Sequence, residues 1–167
     1  MGDIIVGANE RKSLILIHDK PVLNEQVIRL VGEGASIEVD EVLCSGGVQS
    51  KLRIIHEANC TVSKVRSRGV LRDGECSLAH ATVVIPIAAQ KSKSSVSQRF
   101  LLLGKSAQID AVPSLEIEAD DVQATHSTAI VPLDERSLFY LASRGVSRDD
   151  AMALMVQGFL NVPGASK

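Results

Sequence analysis

The feature that most constrains the fold is a series of short apolar, mostly β-branched segments that extends to about residue 132. Segments such as "SLILIH", "KLRIIHEANC", "TVVIPI" and "SLEIEADDV" each contain a run of at most eight residues and end at a polar or glycine-containing break. This spacing is typical of an all-β domain built from many short strands. One segment, "PVLNEQVIRLVGEG" (residues 21–34), is also compatible with a helix.

Two architectures can accommodate these strands: a sandwich or barrel, and a stacked β-solenoid. Aromatic residues make up only 2% of the chain and Trp is absent, whereas sandwiches usually carry large inward aromatics and hairpin turns. Only "RDGE" at 72–75 resembles a tight hairpin signal. The aliphatic composition favours a solenoid, although no strict sequence repeat supports it. Steps of sixteen residues between Cys44, Cys60 and Cys76 offer one candidate for the rung length.

After Pro132 the pattern becomes helical, and it predicts a helical hairpin at 133–162 that follows a β core at 1–132 in a single structural domain. Asp134 is the predicted N-cap of the first helix, and Gly145 ends it in a left-handed conformation. Ser147 and Asp150 form a capping-box-like start of the second helix. The predicted apolar stripes are Leu138, Phe139, Leu141 and Ala142 on the first helix, and Ala151, Leu154, Met155 and Phe159 on the second.

Composition narrows the partners and the compartment. With 45% hydrophobic residues, the 167-residue chain can bury a core, and its net charge of -2 argues against nucleic acid or an anionic membrane as a partner. No apolar run reaches the roughly 20 residues of a membrane span, and the start lacks a secretion signal. Three cysteines, an odd number, fit a reducing compartment. We therefore expect a cytoplasmic protein.

Residues 100–160 carry a set of motifs in a specific order. They are "LLLG", "PSLEIEADDV", a histidine four residues after that valine, "LDE", "LFYLASRG" and a closing "A..L...GF". This region resembles the carboxy-terminal core of the SufB/SufD family of iron-sulfur cluster assembly scaffolds, and is more similar to SufD. Segments 54–71 and 88–98 also resemble the family, so the resemblance covers roughly residues 50–160, and the role of residues 1–50 stays open.

The resemblance implies a fold, a function and partners. The expected fold is mainly β, a right-handed parallel β-helix followed by short carboxy-terminal helices. The implied function is that of a SufB/SufD-like scaffold subunit, not an enzyme, that docks a SufC-type ABC ATPase. The implied cargo is an iron-sulfur cluster held transiently. The β-helix is expected to form a homodimer or to associate with a SufB/SufD relative.

Candidate metal ligands follow in part from the resemblance. His126 matches a histidine that the family shares at this turn, whereas family cysteines fall at about Gln98 and at Ala124. Thiolate is the preferred ligand of soft iron, so the expected ligand set is incomplete. His56 and Cys60 are further candidates if the chain turns between them, because in an extended strand they would lie about 13 Å apart. The alternative for His126 is a solvent-facing or structurally hydrogen-bonded imidazole.

The hairpin has two interpretations, which are compatible: it covers the open end of the β domain, or part of it docks into a partner. The predicted partner-binding residues are Leu138, Phe139, Tyr140, Arg144, Met152, Met155 and Phe159.

Two other functions compete with the scaffold hypothesis. One is a structural or regulatory module that keeps ATPase docking and dimerisation but binds no metal. The other is a carbohydrate-active β-helix enzyme with Asp120, Asp121 and His126 as acid and base, which the scarcity of aromatic sugar platforms disfavours. ATP hydrolysis by the chain itself is not expected, because "GKS" at 104–106 lacks the preceding glycine of a phosphate-binding loop.

Overall fold

The computed structural model describes residues 2–160, which form ten strands followed by two helices. The strands are β1 (Ile4–Val6), β2 (Arg11–His18), β3 (Val22–Leu30), β4 (Ser36–Leu43), β5 (Val48–His56), β6 (Val62–Leu71), β7 (Cys76–Ile85), β8 (Lys93–Leu102), β9 (Gln108–Ile117) and β10 (Gln123–Pro132). The helices are α1 (Glu135–Ser143) and α2 (Arg148–Leu160). Residues 161 and 162 of the predicted helical segment lie outside the described residues.

Successive strands alternate between two parallel sheets. Sheet 1 has the order β1-β3-β5-β7-β9 and sheet 2 the order β10-β8-β6-β4-β2. Each strand therefore pairs with the strand one full coil later, so that Arg11 lies beside Ser36 and Cys76 beside Gln108. The predicted parallel β-helix followed by carboxy-terminal helices is confirmed, and the solenoid has about four turns.

Several local expectations differ from the structure. Seven of the ten strands have nine or ten residues, more than the predicted maximum of eight, because they continue through polar side chains. Residues 22–30 of the ambiguous segment form β3, and "RDGE" joins strands of different sheets, not a hairpin. The steps between the cysteines correspond to about half a coil, so the three cysteines alternate between opposite edges of the solenoid.

The interior contains two separate apolar clusters. One includes Val39, Val65 and Val96, which stack in register across sheet 2, and the other includes Leu43 and Phe100. Gly69 lies between Leu43 and Phe100 in the register of sheet 2, where an added Cβ would stand 2.8 Å from Cδ1 of Phe100. Only glycine leaves room there for the phenyl ring.

One edge of the solenoid is built from stacked residues in the left-handed conformation. These residues have φ between 55° and 72° and are Asn9, Gly34, Cys60 and Lys91. Each donates its backbone N–H to a carbonyl of the following coil, over 2.6 to 3.3 Å. We call this set the left-handed ladder, and it ties neighbouring coils together at the turns that lead from sheet 1 to sheet 2.

The predicted helix ends are confirmed. Asp134 accepts hydrogen bonds from the backbone N–H groups of Arg136 and Ser137, and Gly145 has φ of 84°. Ser147 Oγ lies 2.6 Å from Asp150 Oδ2 and accepts from the Asp150 N–H, as in a capping box. No helix within residues 2–160 is long and apolar enough to cross a membrane.

The hairpin lies against sheet 2 and not over the open end of the solenoid. Helix α2 contacts β6, and the Arg99 guanidinium on the outer face of β8 stands 5.7 Å from the centre of the Phe159 ring. The interpretation that the hairpin covers the open end is therefore wrong, and Ile130 in the last strand remains exposed.

Candidate functional site at the carboxy-terminal end of the solenoid

His126 lies in β10, the last strand of sheet 2. It is in register with Val96, which continues the interior line of Val65 and Val39, so position 126 belongs to the face that points into the solenoid. The imidazole is nevertheless exposed, because β10 forms the open edge of sheet 2 in the described chain. His126 therefore stands at the open end of the interior and can reach solvent or a ligand.

The two positions where the family resemblance places cysteines share this interior face. Ala124 precedes His126 by two residues and packs partly against the larger apolar cluster. Gln98 is buried in the neighbouring strand β8. It lies two residues after Val96, the residue that pairs with His126. Residues directly opposite or diagonal on neighbouring strands lie within about 8 Å, so position 98 is within reach of His126. Positions 98 and 124 are four strand residues apart in register, roughly 13 Å, so side chains there cannot bind one metal ion together. In this chain both thiolates are replaced.

Gln98 instead belongs to a hydrogen-bonded interior polar row. The Glu41 carboxylate is fully buried and accepts hydrogen bonds from the hydroxyls of Ser50 and Ser67, the latter over 2.8 Å, while His18 Nε2 lies 3.1 Å from it. In sheet 2, Glu41, Ser67 and Gln98 are in register and separate the two apolar clusters. The members of the interior polar row are His18, Asn24, Glu41, Ser50, Ser67 and Gln98.

The interior polar row ends beside His126. Gln98 donates to the Ala79 carbonyl over 2.9 Å, and the exposed Thr128 hydroxyl donates to Gln98 Oε1 over 3.4 Å. Sequence reasoning missed this row because its members recur only once per coil. The available signal was Glu41, an acidic residue at an alternate position in the line that Ile37, Val39 and Leu43 form along β4.

His56 occupies a second buried polar cluster. Its Nδ1 lies 2.7 Å from Thr61 Oγ1 and its Nε2 lies 2.9 Å from Ser63 Oγ, so both ring nitrogens have hydroxyl partners. Ser92 and Ser94 extend the cluster into β8. Burial lowers the pKa of His56 to about 4, so the imidazole is neutral at neutral pH. To bind a metal, His56 would have to give up one of these hydrogen bonds.

Cys60 is separated from His56 by the expected turn, but the two side chains have opposite environments. His56 is buried, whereas Cys60 is exposed and holds a position in the left-handed ladder. Cys76 is also exposed, and burial raises the pKa of the half-buried Cys44 thiol. Among residues 2–160, no group of three or more His, Cys, Asp or Glu side chains could hold a metal ion.

The helical hairpin presents a small aromatic surface. Phe139 is 77% and Tyr140 58% exposed, and the Arg144 guanidinium lies 5.4 Å from the Tyr140 ring centre. Leu138 is buried, so it anchors α1 and is not available at the surface. Met152, Met155 and Phe159 are partly buried. Leu154, predicted in the apolar stripe of α2, is instead exposed.

Fold and site together define a class of protein: a parallel β-solenoid with a polar interior row that runs to an open end, and a helical hairpin with exposed aromatics on its flank. Residues 6–159 match the model of the SufBD core domain of the SUF system for iron-sulfur cluster assembly. The chain belongs to the SufBD family.

Curated relatives agree with this assignment. The iron-sulfur cluster assembly protein SufD of Bacillus subtilis is 30% identical over 151 residues, covering 89% of this chain and 35% of the relative. A SufBD family protein of Mycobacterium leprae is 33% identical over 147 residues, covering 86% of this chain and 17% of the relative. SufD of Escherichia coli is 38% identical over 71 residues, covering 42% of this chain and 17% of the relative. The chain thus spans about a third or less of the length of these relatives.

Proposed function

We propose that this protein is a non-enzymatic scaffold subunit in cytoplasmic iron-sulfur cluster assembly that docks a SufC-type ABC ATPase through its helical hairpin. The observation that carries the proposal is the position of His126 on the interior face at the open end of a SufBD-family solenoid. The iron-sulfur cluster is cargo, and ATP hydrolysis is supplied by the partner.

The exposed aromatics of α1 support the docking role. The sequence contains only three Phe and one Tyr, and Phe139 and Tyr140 lie adjacent and exposed on one short helix. Aromatic residues dominate the energetics of many interfaces because they bury a large area at a small entropic cost. Buried Leu138 holds α1 in place, so the aromatic pair is presented on an anchored element.

Docking can be tested by affinity measurement between the full chain and a purified SufC-type ATPase. The Phe139→Ser and Tyr140→Ser double variant is expected to weaken binding about tenfold or more, as for aromatic residues at the centre of an interface. Ile87→Ser is the matched control, because Ile87 is an exposed apolar residue outside the hairpin. Equal binding by the double variant and the wild type would contradict docking through α1.

The open end supports the cargo role, with ligands completed by a second subunit. His126 is accessible, yet the described residues contain no three-donor group around it. Strands β9 and β10 are the last strands of their sheets in the described chain, so their outer edges are available to another solenoid. We propose that a second copy or a SufB/SufD relative associates there and contributes the missing thiolate or carboxylate donors.

Anaerobic reconstitution with iron and sulfide tests the cargo role. Absorbance in the visible range should develop with the wild-type chain in the presence of the ATPase, and His126→Ala should reduce it. His80→Ala is the control, since His80 lies on the outer face of sheet 1 beside Asp110. A wild-type chain that gains no cluster under these conditions argues against the scaffold role.

The second candidate is a structural or regulatory module without metal chemistry. It is favoured by one observation: Gln98 is committed to hydrogen bonds with Ala79 and Thr128, and Ala124 has no donor atom in its side chain. This candidate predicts that the ATPase binds normally while metal analysis of the purified complex finds no iron.

A further inference from the structure

The amino-terminal end of sheet 2 is an unusual edge. Strand β2 pairs with β4 on one side only. Glu10 O accepts from Ser36 N and His18 O accepts from Cys44 N, so the even-numbered residues direct their backbone groups toward β4. Because these groups alternate along a strand, the odd-numbered residues direct theirs toward the free edge.

The centre of β2 lacks the features that usually prevent strand pairing, and the one inward-facing charge, Lys12 near the start of the strand, is bound by the Ile5 carbonyl and Glu10. Natural edge strands carry inward charges, proline or bulges, or they are covered. Four consecutive aliphatic residues, 14–17, instead form the centre of β2, and Ile15 is 46% and Ile17 60% exposed on the outer face. Among residues 2–160, β4 is the only strand that pairs with β2. A strand of matching chemistry could therefore pair here.

The sequence of β2 is complementary to itself in the antiparallel direction. A twofold axis at Ile15 places Ile15 opposite its own copy, Ser13 opposite Ile17, and Arg11 opposite Asp19. The same register sets Glu10 opposite Lys20, so basic and acidic side chains meet at both ends of the aliphatic centre. The N–H and C=O groups of Ile15 point toward the free edge. The two copies of Ile15 would therefore exchange two N–H to C=O hydrogen bonds.

Neighbouring registers are less favourable. A twofold axis at residue 16 would place Lys12 opposite Lys20, a like-charge pair on neighbouring strands. An axis at residue 14 would set Arg11 opposite Ile17 and remove the ionic pair with Asp19. Exposed ion pairs add little affinity, so the pairs of Arg11 with Asp19 and Glu10 with Lys20 mainly select the register. The aliphatic residues supply the buried contact area.

The geometry points to a second association surface, in which β2 pairs antiparallel with β2 of a second copy of this chain about a twofold axis at Ile15. The two solenoids are joined end to end at sheet 2. This contact is at the opposite end of the molecule from His126 and does not depend on the proposed function. A chain that also associates through β9 and β10 would form assemblies larger than a dimer.

Directed crosslinking tests the register. In a full-length chain whose three native cysteines are replaced, Ile15→Cys is expected to form a covalent dimer on mild oxidation, because a residue on the twofold axis faces its own copy. Ser13→Cys alone should not crosslink, since its partner is residue 17. A mixture of Ser13→Cys and Ile17→Cys chains should give the mixed dimer. Self-crosslinking of Ser13→Cys as fast as that of Ile15→Cys would overturn the register.

Sedimentation velocity tests whether the chain self-associates, with the native cysteines in place. Ile15→Lys should raise the dissociation constant of this contact about tenfold or more, because two like charges meet on the axis. Ile87→Lys is the matched control, since Ile87 is 68% exposed at a turn between β7 and β8. Arg11→Asp and Asp19→Arg should each weaken association and together restore it. A wild-type chain that is monomeric throughout the micromolar range, or association insensitive to Ile15→Lys, overturns the proposal.

Discussion

Acidification is expected to destabilise the solenoid through His56. The ring is fully buried, and Thr61 and Ser63 hydroxyls occupy both of its nitrogens. Burial lowers the pKa of His56 to about 4 from an ordinary value of 6.5. As the pH falls below about 6.5, the unfolded chain takes up a proton that the folded chain does not yet bind. The free energy of unfolding therefore decreases with falling pH until the folded-state pKa is passed.

The size of the effect follows from the two pKa values. Each pKa unit corresponds to about 1.36 kcal/mol. A shift from 6.5 to about 4 therefore lowers the free energy of unfolding by at most about 3.4 kcal/mol at acidic pH. At pH 5 the unfolded imidazole is almost fully protonated and the folded one is still mostly neutral. The loss relative to pH 7 is then about 2 kcal/mol, a substantial part of the stability of an ordinary domain.

The assay is urea unfolding followed by far-ultraviolet circular dichroism at pH 7 and pH 5, under reducing conditions. Between pH 7 and pH 5, the free energy of unfolding of the wild-type protein should fall by about 2 kcal/mol more than that of His56→Gln. Glutamine keeps a hydrogen-bonding side chain at this position but does not titrate. His126→Gln is the control and should behave as wild type, because the exposed His126 ring is not enclosed. The reasoning is refuted if His56→Gln loses as much stability as wild type, or if nuclear magnetic resonance shows His56 protonated at pH 6.

Three substitutions test other parts of the interior and the turns. Glu41→Ala should reduce the free energy of unfolding by about 3 kcal/mol because it leaves buried hydroxyls without their acceptor, and Glu41→Gln should cost less; equal losses in denaturant titrations would contradict this. Gly69→Ala should cost about 1–3 kcal/mol through a clash with Phe100, measured by the same titrations, and no loss would show that the ring can move. Cys60→Gly should raise the stability by up to about 1 kcal/mol because the position has φ of 58°, and a lower melting temperature would refute this interpretation.

The helix ends were predictable because their signals are local. Asp134, Gly145 and Ser147 act on backbone groups within a few residues, so a single sequence contains the whole interaction. The solenoid was predictable as a class from its aliphatic, aromatic-poor strands. The coil length was not, because the step from one strand to its partner is shorter in the first coil than in the last and no strict repeat marks the limits of a coil.

The candidate site was predictable only in part. The position of His126 follows from a recognisable motif, but its interior orientation depends on the register with Val96, which lies one full coil earlier in the chain. Burial of His56 could not be read from "IIHEANC", because its partners come from the turn and the next strand. Leu138 and Phe139 are neighbours of similar hydrophobicity, and only packing decides that one is buried and the other exposed.

The interior polar row also affects how the chain finds its native fold. Val39, Val65 and Val96 are chemically identical, so apolar stacking alone cannot distinguish one coil from the next. A chain that slipped by one coil would keep most of its aliphatic contacts but would separate the buried Glu41 carboxylate from the Ser50 and Ser67 hydroxyls that donate to it. The cluster of Glu41 with Ser50 and Ser67 therefore distinguishes its own coils from the others and disfavours slipped, misfolded arrangements.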